Sequence, residues 1–314
     1  MTIATGEHPT VTIAVPTLDE EAHIEACLSA IEAQTYDSII EVLVLDGGSS
    51  DSTRAIAAGF AGVTIVDNPG RLQAVALNLA IETAKGAVLV RVDAHAVIEP
   101  QYVERAVDAL VTTGAAMVGG QQLPVAESWR GRAIARAMRS PYGAGPARFR
   151  TGGDPGWVDT VYLGAYRVDT AREAGGYLPV AVNEDAEFAI RMADRGGVWF
   201  EPSIRASYTP RPSFAQLARQ YYRYGLGRAQ TVRRHPDTLS LRQLAAPALV
   251  VALASPWRRK VAAAYLGGLV VLAGRESRDD PTVAPGLVVA FPAMHLPWGV
   301  GFLVGLLRGS RGAR

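Results

Sequence analysis

Two rhythms of apolar and polar positions alternate along the first hundred residues. Val11-Thr12-Ile13-Ala14-Val15-Pro16 is short, β-branched and closed by a proline, which reads as a buried parallel strand. Over 19–34 the apolar positions Ile24, Cys27, Leu28 and Ile31 fall at helical spacing, behind acids in the first turn where the helix dipole favours them. A strand over 39–45, a helix over 52–58, a strand over 63–66, a helix over 72–83 and a strand over 87–92 follow. This βαβαβαβ series predicts an α/β fold with a Rossmann-like, doubly wound and mostly parallel sheet.

Beyond residue 100 the rhythm loosens. A helix is expected over 102–112, a strand over 116–121, and a helix followed by a mobile loop over 129–157, where Arg, Gly and Pro accumulate. Strand character returns over 158–167, a helix opens on acids over 185–194, and 204–235 reads as a basic, partly helical bridge. Three apolar runs follow, at 244–255, 261–273 and 286–307. The first two are too short to cross a bilayer; the third meets the requirement of about 20 residues per crossing, with Pro292 and Pro297 as kinks. Pro256-Trp257-Arg258-Arg259-Lys260 suits a membrane interface, aromatic at headgroup level and cations on the cytoplasmic side. The preferred arrangement is one crossing plus a re-entrant or interfacial hairpin, and the alternative is a soluble helical subdomain.

Charge sharpens this division. The 314 residues carry a net charge of +1, but residues 1–202 hold 15 basic against 26 acidic side chains and residues 203–314 hold 16 against 4. The basic part is also the apolar part, which points to the anionic cytoplasmic leaflet of a membrane. Nucleic acid is excluded as a partner, since no aromatic and basic interleaving for base stacking is present. Cys27 is the only cysteine, so there is no intrachain disulfide framework and no thiolate metal cluster. Residues 1–10 contain no basic stretch leading into an apolar core, and the acidic part is expected to stay on the cytoplasmic side.

Three acidic stretches sit just after apolar runs: Leu45-Asp46-Gly47-Gly48-Ser49-Ser50-Asp51-Ser52-Thr53, Arg91-Val92-Asp93-Ala94-His95 and Asn183-Glu184-Asp185-Ala186-Glu187. Ligands of open α/β sheets bind in the crevice beyond the carboxyl ends of the strands. The loop Pro16-Thr17-Leu18-Asp19-Glu20-Glu21 has no glycine, so it is neither a dinucleotide turn nor a phosphate-binding loop. The side-chain oxygens of Thr17, Asp19 and Glu20 suit a base or ribose, or simply cap a helix. Asp46 can accept a ring N–H of a pyrimidine while Gly47 and Gly48 let the backbone pass close, and Ser50 or Asp51 can cap the next helix. Asp93 and His95, two apart on extended backbone, point to one side and can share a Mg²⁺ or Mn²⁺ with diphosphate oxygens; the imidazole favours Mn²⁺. Glu184 and Asp185 form the remaining acid cluster, either helix-capping or catalytic, and Asp185 is the choice for general base. Together these residues read as a transferase with an activated, phosphate-bearing donor.

Val11 to Glu20, Leu45 to Thr53, Asn68-Pro69-Gly70-Arg71 with Asn78, Asp93-Ala94-His95 and Asn183-Glu184-Asp185 resemble, in order, the motifs of family 2 inverting glycosyltransferases of GT-A fold. Val158-Asp159-Thr160-Val161, Gly175-Gly176-Tyr177, Tyr208-Thr209-Pro210-Arg211, Gln220-Tyr221-Tyr222-Arg223-Tyr224-Gly225 and Met294-His295-Leu296 extend the resemblance to membrane-associated succinoglycan-type exopolysaccharide glucosyltransferases. The resemblance implies transfer of a hexose from a UDP-linked donor, with a divalent metal, to a lipid-linked or glycan hydroxyl at the cytoplasmic face of the plasma membrane. Residue by residue it implies Pro16, Thr17, Asp19, Glu20, Asp46, Gly47, Arg71, Asn78 and Asp93 on the donor, and Asp93 and His95 on the metal. Asp185 with Glu184 becomes the catalytic pair, and Gln220, Arg223 and Tyr224 lie toward the acceptor and diphosphate. Residues 1–235 become the catalytic domain, its nucleotide-sugar half about 1–100 and its acceptor half about 101–235, with 236–314 as a helical membrane-associated region. The Q-x-x-R-W of processive synthases is replaced by Gln220-Tyr221-Tyr222-Arg223-Tyr224, which points to single-sugar transfer. A sugar nucleotidyltransferase is disfavoured by the glycine-free first loop. A polyprenyl-phosphate glycosyltransferase, or an inactive nucleotide-sugar-binding membrane scaffold, remains the alternative.

Overall fold

The computed structural model describes residues 8–308, so the first seven and last six residues of the expected domains lie outside the described residues. The chain forms two compact units, 1–123 with 147–209, and 124–146 with 210–314. This corrects the expected boundary at 235: residues 124–146 and 210–235 go with the C-terminal unit. Both segments are helical and pack on the apolar helices of that unit.

The first unit is built on β1 (Val11–Thr17), β2 (Ile39–Asp46), β3 (Val63–Asp67), β4 (Val88–Arg91), β5 (Ala96–Ile98), β6 (Met117–Pro124), β7 (Gly156–Trp157), β8 (Tyr162–Arg167) and β9 (Val198–Tyr208). One sheet runs β3-β2-β1-β4-β8-β6-β9-β5, with β7 paired to β9. The expected parallel ladder is present from β3 to β4. At β4 the sheet switches, because β8 pairs with it antiparallel, and β6 on β8, β5 on β9 and β7 on β9 are antiparallel as well. The result is a mixed α/β sheet whose parallel part holds the amino-terminal motifs.

β1 and β4 are buried on both faces, which is why they read as apolar runs, whereas the edge strand β3 is only half-buried to exposed. Ile13, Val15, Val44, Val88 and Val90 face one core with Ile24 and Leu28 of the Ile24–Glu32 helix. Ala14, Leu43, Leu45 and Leu89 face the other, with Leu77 of the Gln73–Thr83 helix and Phe188 of the Glu184–Ala193 helix. The period-2 alternation of strand side chains produces this split. Register then aligns the strand ends: Thr17 pairs with Asp46 and Asp46 with Asp67, so three polar residues end the strands side by side.

Several elements differ from the sequence reading. The first helix starts at Ile24 because residues 17–21 are held in a loop, with Asp19 at φ 52°. The stretch 129–157 is a helix, Trp129–Arg139, followed by the one-turn helices Pro141–Ala144 and Arg148–Thr151 and by β7. Residues 204–208 of the expected bridge complete β9, and the bridge proper is a 21-residue helix, Phe214–Arg234, capped by the Ser213 hydroxyl. The Glu201-Pro202-Ser203 interruption hides β9 from periodicity, and β5 is only three residues long. In the second unit the three apolar runs form the helices Ala245–Leu253, Arg258–Glu276 and Ala284–Leu307.

Gly120 marks where β6 and β9 approach most closely: a Cβ there would lie 1.8 Å from the Ile204 carbonyl oxygen. Backbone must move to admit it, and overpacking of this kind costs typically 1–3 kcal/mol. Gly120→Ala is expected to lower the thermal midpoint by roughly 5 °C or more; an unchanged midpoint in scanning fluorimetry would refute that contact.

Candidate active site

The loop after β1 and the loop after β2 are laced together by side-chain-to-backbone hydrogen bonds. Asp19 N–H donates to Ser49 Oγ (2.9 Å), Ser50 N–H donates to Asp19 Oδ1 (2.8 Å), and Glu20 N–H donates to Thr53 Oγ1 (2.8 Å). Glu21 N–H donates to Asp51 Oδ2 (3.1 Å) and Ser52 N–H returns a bond to Glu21 Oε2 (3.1 Å) across the same gap, while Asp51 Oδ1 also accepts from Thr53 N–H (3.0 Å) at the start of the next helix. Asp19 thus shapes the crevice with the carboxylate that the sequence assigned to the donor. Pro16 and Thr17 are buried, and the Thr17 hydroxyl donates to the Val15 carbonyl (3.3 Å).

Asp46 ends β2 with 1% of its surface exposed. It accepts from Gly48 N–H (3.1 Å), Ser49 Oγ (2.5 Å) and Arg54 Nη1 (2.9 Å). Burial pushes its pKa up, but the hydrogen bonds from Ser49 and Arg54 outweigh it and hold the carboxyl below the usual range. Gly48 adopts φ 80°, which suits glycine, and Gly47 N–H donates to the Thr17 carbonyl (2.8 Å). Arg54 also pairs with Asp67 at 2.6 Å. Asp46, Gly47, Gly48 and Asp67, with Asn68, Pro69 and Arg71, line a concave pocket of about 270 Å³. Arg71 is held at φ 54°, and Asn68, buried, leaves its Oδ1 without a protein partner while its Nδ2 donates to the Leu72 carbonyl (3.1 Å).

Beside this pocket lies a buried charge cluster at the end of β4. Arg91 is 5% exposed and forks onto Asp93, Nε to Oδ1 at 2.8 Å and Nη2 to Oδ2 at 3.3 Å. Gln73 Nε2 donates to the same Oδ1 (2.8 Å), and Arg91 Nη1 stands 3.7 Å from Glu184 Oε1. Burial opposes the charge on Asp93, yet Arg91 outweighs it and holds this carboxyl below its usual range. Glu184 behaves oppositely: burial first and the neighbouring Asp185 second push it up to about 7, against the pull of Arg91. Asp185, half-buried, accepts from Ala186 N–H (2.7 Å), and Asn183 before it takes φ 65°. Arg191, paired with Glu187 on the same helix at 2.7 Å, also donates to the Ala174 carbonyl and so ties down the helix that carries both acids.

Some expectations about the site are corrected. Asp93 and His95 are not on extended backbone: β4 ends at Arg91, and Ala96 N–H closes a turn on the Asp93 carbonyl (2.8 Å). His95 faces Glu20, Nδ1 to Oε1 at 3.5 Å, with its ring edge-on to Tyr208. Asn78 does not reach toward a donor, since its amide exchanges both hydrogen bonds with the Tyr177 backbone (2.8 and 2.6 Å) and so pins the loop after Gly176. Gln220, Arg223 and Tyr224 lie on the Phe214–Arg234 helix of the second unit, where Gln220 Nε2 donates to the Tyr224 hydroxyl (2.8 Å) and Arg223 is exposed.

The model of glycosyl transferase family 2 matches residues 12–175, the segment holding the two laced loops, the pocket and the Arg91–Asp93 pair. Succinoglycan biosynthesis protein ExoA of Rhizobium meliloti is 34% identical over 310 residues, covering 92% of this chain and 93% of that protein. The chain belongs to glycosyl transferase family 2. This glycosyltransferase is also 25% identical, over 71% of its length and 74% of the relative's, to a Methanococcus voltae protein. That relative is named dolichyl N-acetyl-alpha-D-glucosaminyl phosphate 3-beta-D-2,3-diacetamido-2,3-dideoxy-beta-D-glucuronosyltransferase. Among solved structures, the mannosyltransferase PcManGT of Pyrobaculum calidifontis, in complex with GDP-Man and Mn²⁺, matches with a TM-score of 0.64 at 20% identity, over 99% of this chain and 90% of that one. TarS 1-349 of S. aureus, in complex with UDP, matches at 0.52 and 14% identity, over 97% and 93%. These likenesses give the glycosyltransferase a GT-A-like fold.

A divalent cation, the cofactor expected from the sequence, fits the site in one form. Among the described residues no three His, Cys, Asp or Glu side chains stand close enough to hold a metal ion. His95, 37% exposed at its side chain, and Glu20 offer one imidazole and one carboxylate facing each other, with Asp93 two residues away. Such a partial set suits a cation completed by substrate phosphate oxygens and water. Sequence reasoning missed Arg91, Gln73, Arg54 and Asp67 as parts of the site. Only Arg91 gave a signal, as a lone cation inside an apolar strand, two residues from Asp93 and so on the same face.

Glu184 ties stability to pH. Its unfolded carboxyl titrates near 4.5 and its folded one near 7, so between those values the native state holds the extra proton and stability falls as pH rises. The contribution is fully present below about pH 4.5 and gone above about 7. Urea unfolding of wild type and Glu184→Gln should therefore diverge by up to roughly 3 kcal/mol between pH 4 and pH 8, with the variant lacking the decline; parallel curves would contradict this titration.

Proposed function

We propose that this glycosyltransferase is an inverting, metal-dependent enzyme. It moves a single hexose from a nucleotide-diphospho-sugar, UDP-linked by preference, onto a hydroxyl of a lipid-linked or glycan acceptor during cell-surface polysaccharide synthesis. The observation that carries the reading is that the Asp46–Arg71 pocket, at the ends of β2 and β3, and the Asp93–Arg91–Glu184 cluster, at the end of β4, lie beyond the carboxyl ends of one parallel ladder with only β1 between them. In this reading the base lies in the pocket, where Arg71 provides a donor. Asp46, already carrying bonds from Gly48, Ser49 and Arg54, keeps the pocket floor in shape and offers its remaining acceptor capacity to a ring N–H. The name of the Rhizobium relative supports polysaccharide synthesis, and that of the Methanococcus relative supports a lipid-linked saccharide, over a bare polyprenyl phosphate, as acceptor.

His95 with Asp93, and Glu20 facing the imidazole, would hold Mn²⁺ or Mg²⁺, which when bound neutralises charge on the leaving diphosphate. Arg91, forked onto both oxygens of Asp93, fixes the carboxylate that this reading assigns to the ribose and cation. Asp185 accepts the acceptor's proton as the hydroxyl oxygen attacks the anomeric carbon. The bond from that carbon to the phosphate oxygen breaks, its electron pair leaves with the nucleoside diphosphate, and the configuration inverts. Positioning contributes most of the acceleration, with proton transfer to such a base contributing about 10²–10⁴-fold. The first unit carries these steps. Gln220, Arg223 and Tyr224 are assigned to the acceptor and diphosphate side, and the second unit to attachment at the cytoplasmic face of the plasma membrane.

A panel of nucleotide sugars with Mn²⁺, followed by thermal stabilisation and nucleoside diphosphate release, tests the reading. One donor is expected to stand out, by about 2.7 kcal/mol at a hundredfold excess over Kd; no stabilisation and no release with any donor would overturn it. With the cognate donor, Asp185→Asn should bind nearly as wild type yet turn over at least 10²-fold more slowly. His95→Ala should weaken nucleotide binding only when Mn²⁺ is present. Normal turnover in the first variant, or equal loss with and without metal in the second, removes that residue from its role.

A further inference from the structure

We propose that the second unit is a monotopic anchor: the Arg258–Glu276 helix lies along one anionic leaflet, while the longer apolar helix Ala284–Leu307 stays seated against the unit's arginine-bearing helices and does not cross. This rests on the membrane attachment proposed above and replaces the crossing expected from the sequence. By length and composition the segment Pro281–Leu307 could span a bilayer. Its surroundings argue otherwise. A Cβ on Gly301 would lie 2.2 Å from the Tyr222 carbonyl oxygen, and one on Gly305 would lie 2.6 Å from Ala229 Cβ, so this helix packs backbone-to-backbone on the Phe214–Arg234 helix. Arg233 Nη1 donates to the Leu306 carbonyl (3.2 Å). Toward its other end, Gly286 packs the same way on Ala133 of the Trp129–Arg139 helix. His295 Nε2 contacts the Tyr142 carbonyl at 2.8 Å; a carbonyl only accepts, so Nε2 carries the proton and Nδ1 accepts from the Tyr265 hydroxyl (2.8 Å). The two flanking helices carry Arg130, Arg132, Arg136 and Arg139, and Arg219, Arg223, Arg228, Arg233 and Arg234. A crossing by the central helix would draw those arginines toward hydrocarbon, where they are among the costliest residues to place.

The Arg258–Glu276 helix has the opposite character. It buries only Leu269 and Ala273, and it exposes Leu266, Val270 and Val271 at 54%, 63% and 74%. Its apolar stretch 261–274 spans about 21 Å at 1.5 Å per residue, short of a hydrocarbon core of about 30 Å. Arg258, Arg259 and Lys260 open it, with Lys260 Nζ 5.0 Å from the ring of the exposed Trp257, and Arg275 closes it. Cations and an aromatic at the ends of an exposed apolar face match the charge and polarity of an anionic headgroup layer.

Full-length protein is mixed with vesicles of phosphatidylcholine alone or with 30% phosphatidylglycerol and sedimented. Wild type is expected to co-sediment, more with the anionic lipid, and Val270→Asp/Val271→Asp to lose at least tenfold of that binding. In inside-out membrane vesicles, Arg278→Cys and Leu307→Cys, exposed positions just before the long helix and at its end, should react with an impermeant maleimide from the same side. Labelling from opposite sides, full vesicle binding by the double aspartate variant, or a soluble dimer that ignores vesicles would each overturn the proposal. Nucleotide titration of the same preparations reads the glycosyltransferase assignment separately.

Discussion

A buried guanidinium holds the carboxyl edge of the sheet together. Arg91 sits at the end of β4, with β1 running parallel on one side and β8 antiparallel on the other. Acids crowd this switch point: Asp93 in the turn after β4, then Glu184 and Asp185 opening the helix that packs beneath the sheet. Such a group of carboxylates leaves water only with a cation among them, and the planar fork of arginine serves Asp93 with two bonds while presenting a third nitrogen to Glu184. Buried ion pairs add little net stability over apolar packing, but breaking one by removing a partner costs about 3–5 kcal/mol. Arg91 is therefore better understood as fixing geometry than as strengthening the fold.

The rest of the crevice follows the same economy, in which most side-chain oxygens serve the site by building it. Asp19, Ser49, Asp51 and Thr53 fasten two loops to one another, and Asp46 organises the turn through Gly48 and Ser49. Arg71 at the pocket, His95 and Glu20 facing each other, and Asp185 on its helix stand at separate places around these loops. That separation matches a donor whose base, diphosphate and reacting carbon need different chemistry.

The parallel half of the fold was legible because β1 and β4, buried on both faces, are short apolar runs and the Ile24–Glu32 helix carries a one-sided apolar stripe. The antiparallel half was not, because β5 is three residues long and β9 contains Glu201-Pro202-Ser203 in its middle. The acidic motifs located the crevice, but sequence spacing assumed extended backbone at Asp93-Ala94-His95, where a turn intervenes, and the family resemblance gave Asn78 a ligand where its amide bonds the Tyr177 backbone. Hydropathy alone could not separate the two long apolar helices of the second unit. Glycines that allow backbone contact bury one of them, and the other has few neighbours.

The most direct test of this account is calorimetric titration of the cognate nucleotide with Mn²⁺ into wild type and Arg91→Lys. Lysine keeps the buried charge, so the fold is retained, but as a point charge it cannot fork onto Asp93 and reach Glu184 together. The account predicts a folded variant whose nucleotide affinity falls at least tenfold, whereas wild-type affinity in Arg91→Lys would contradict the central place given to this guanidinium.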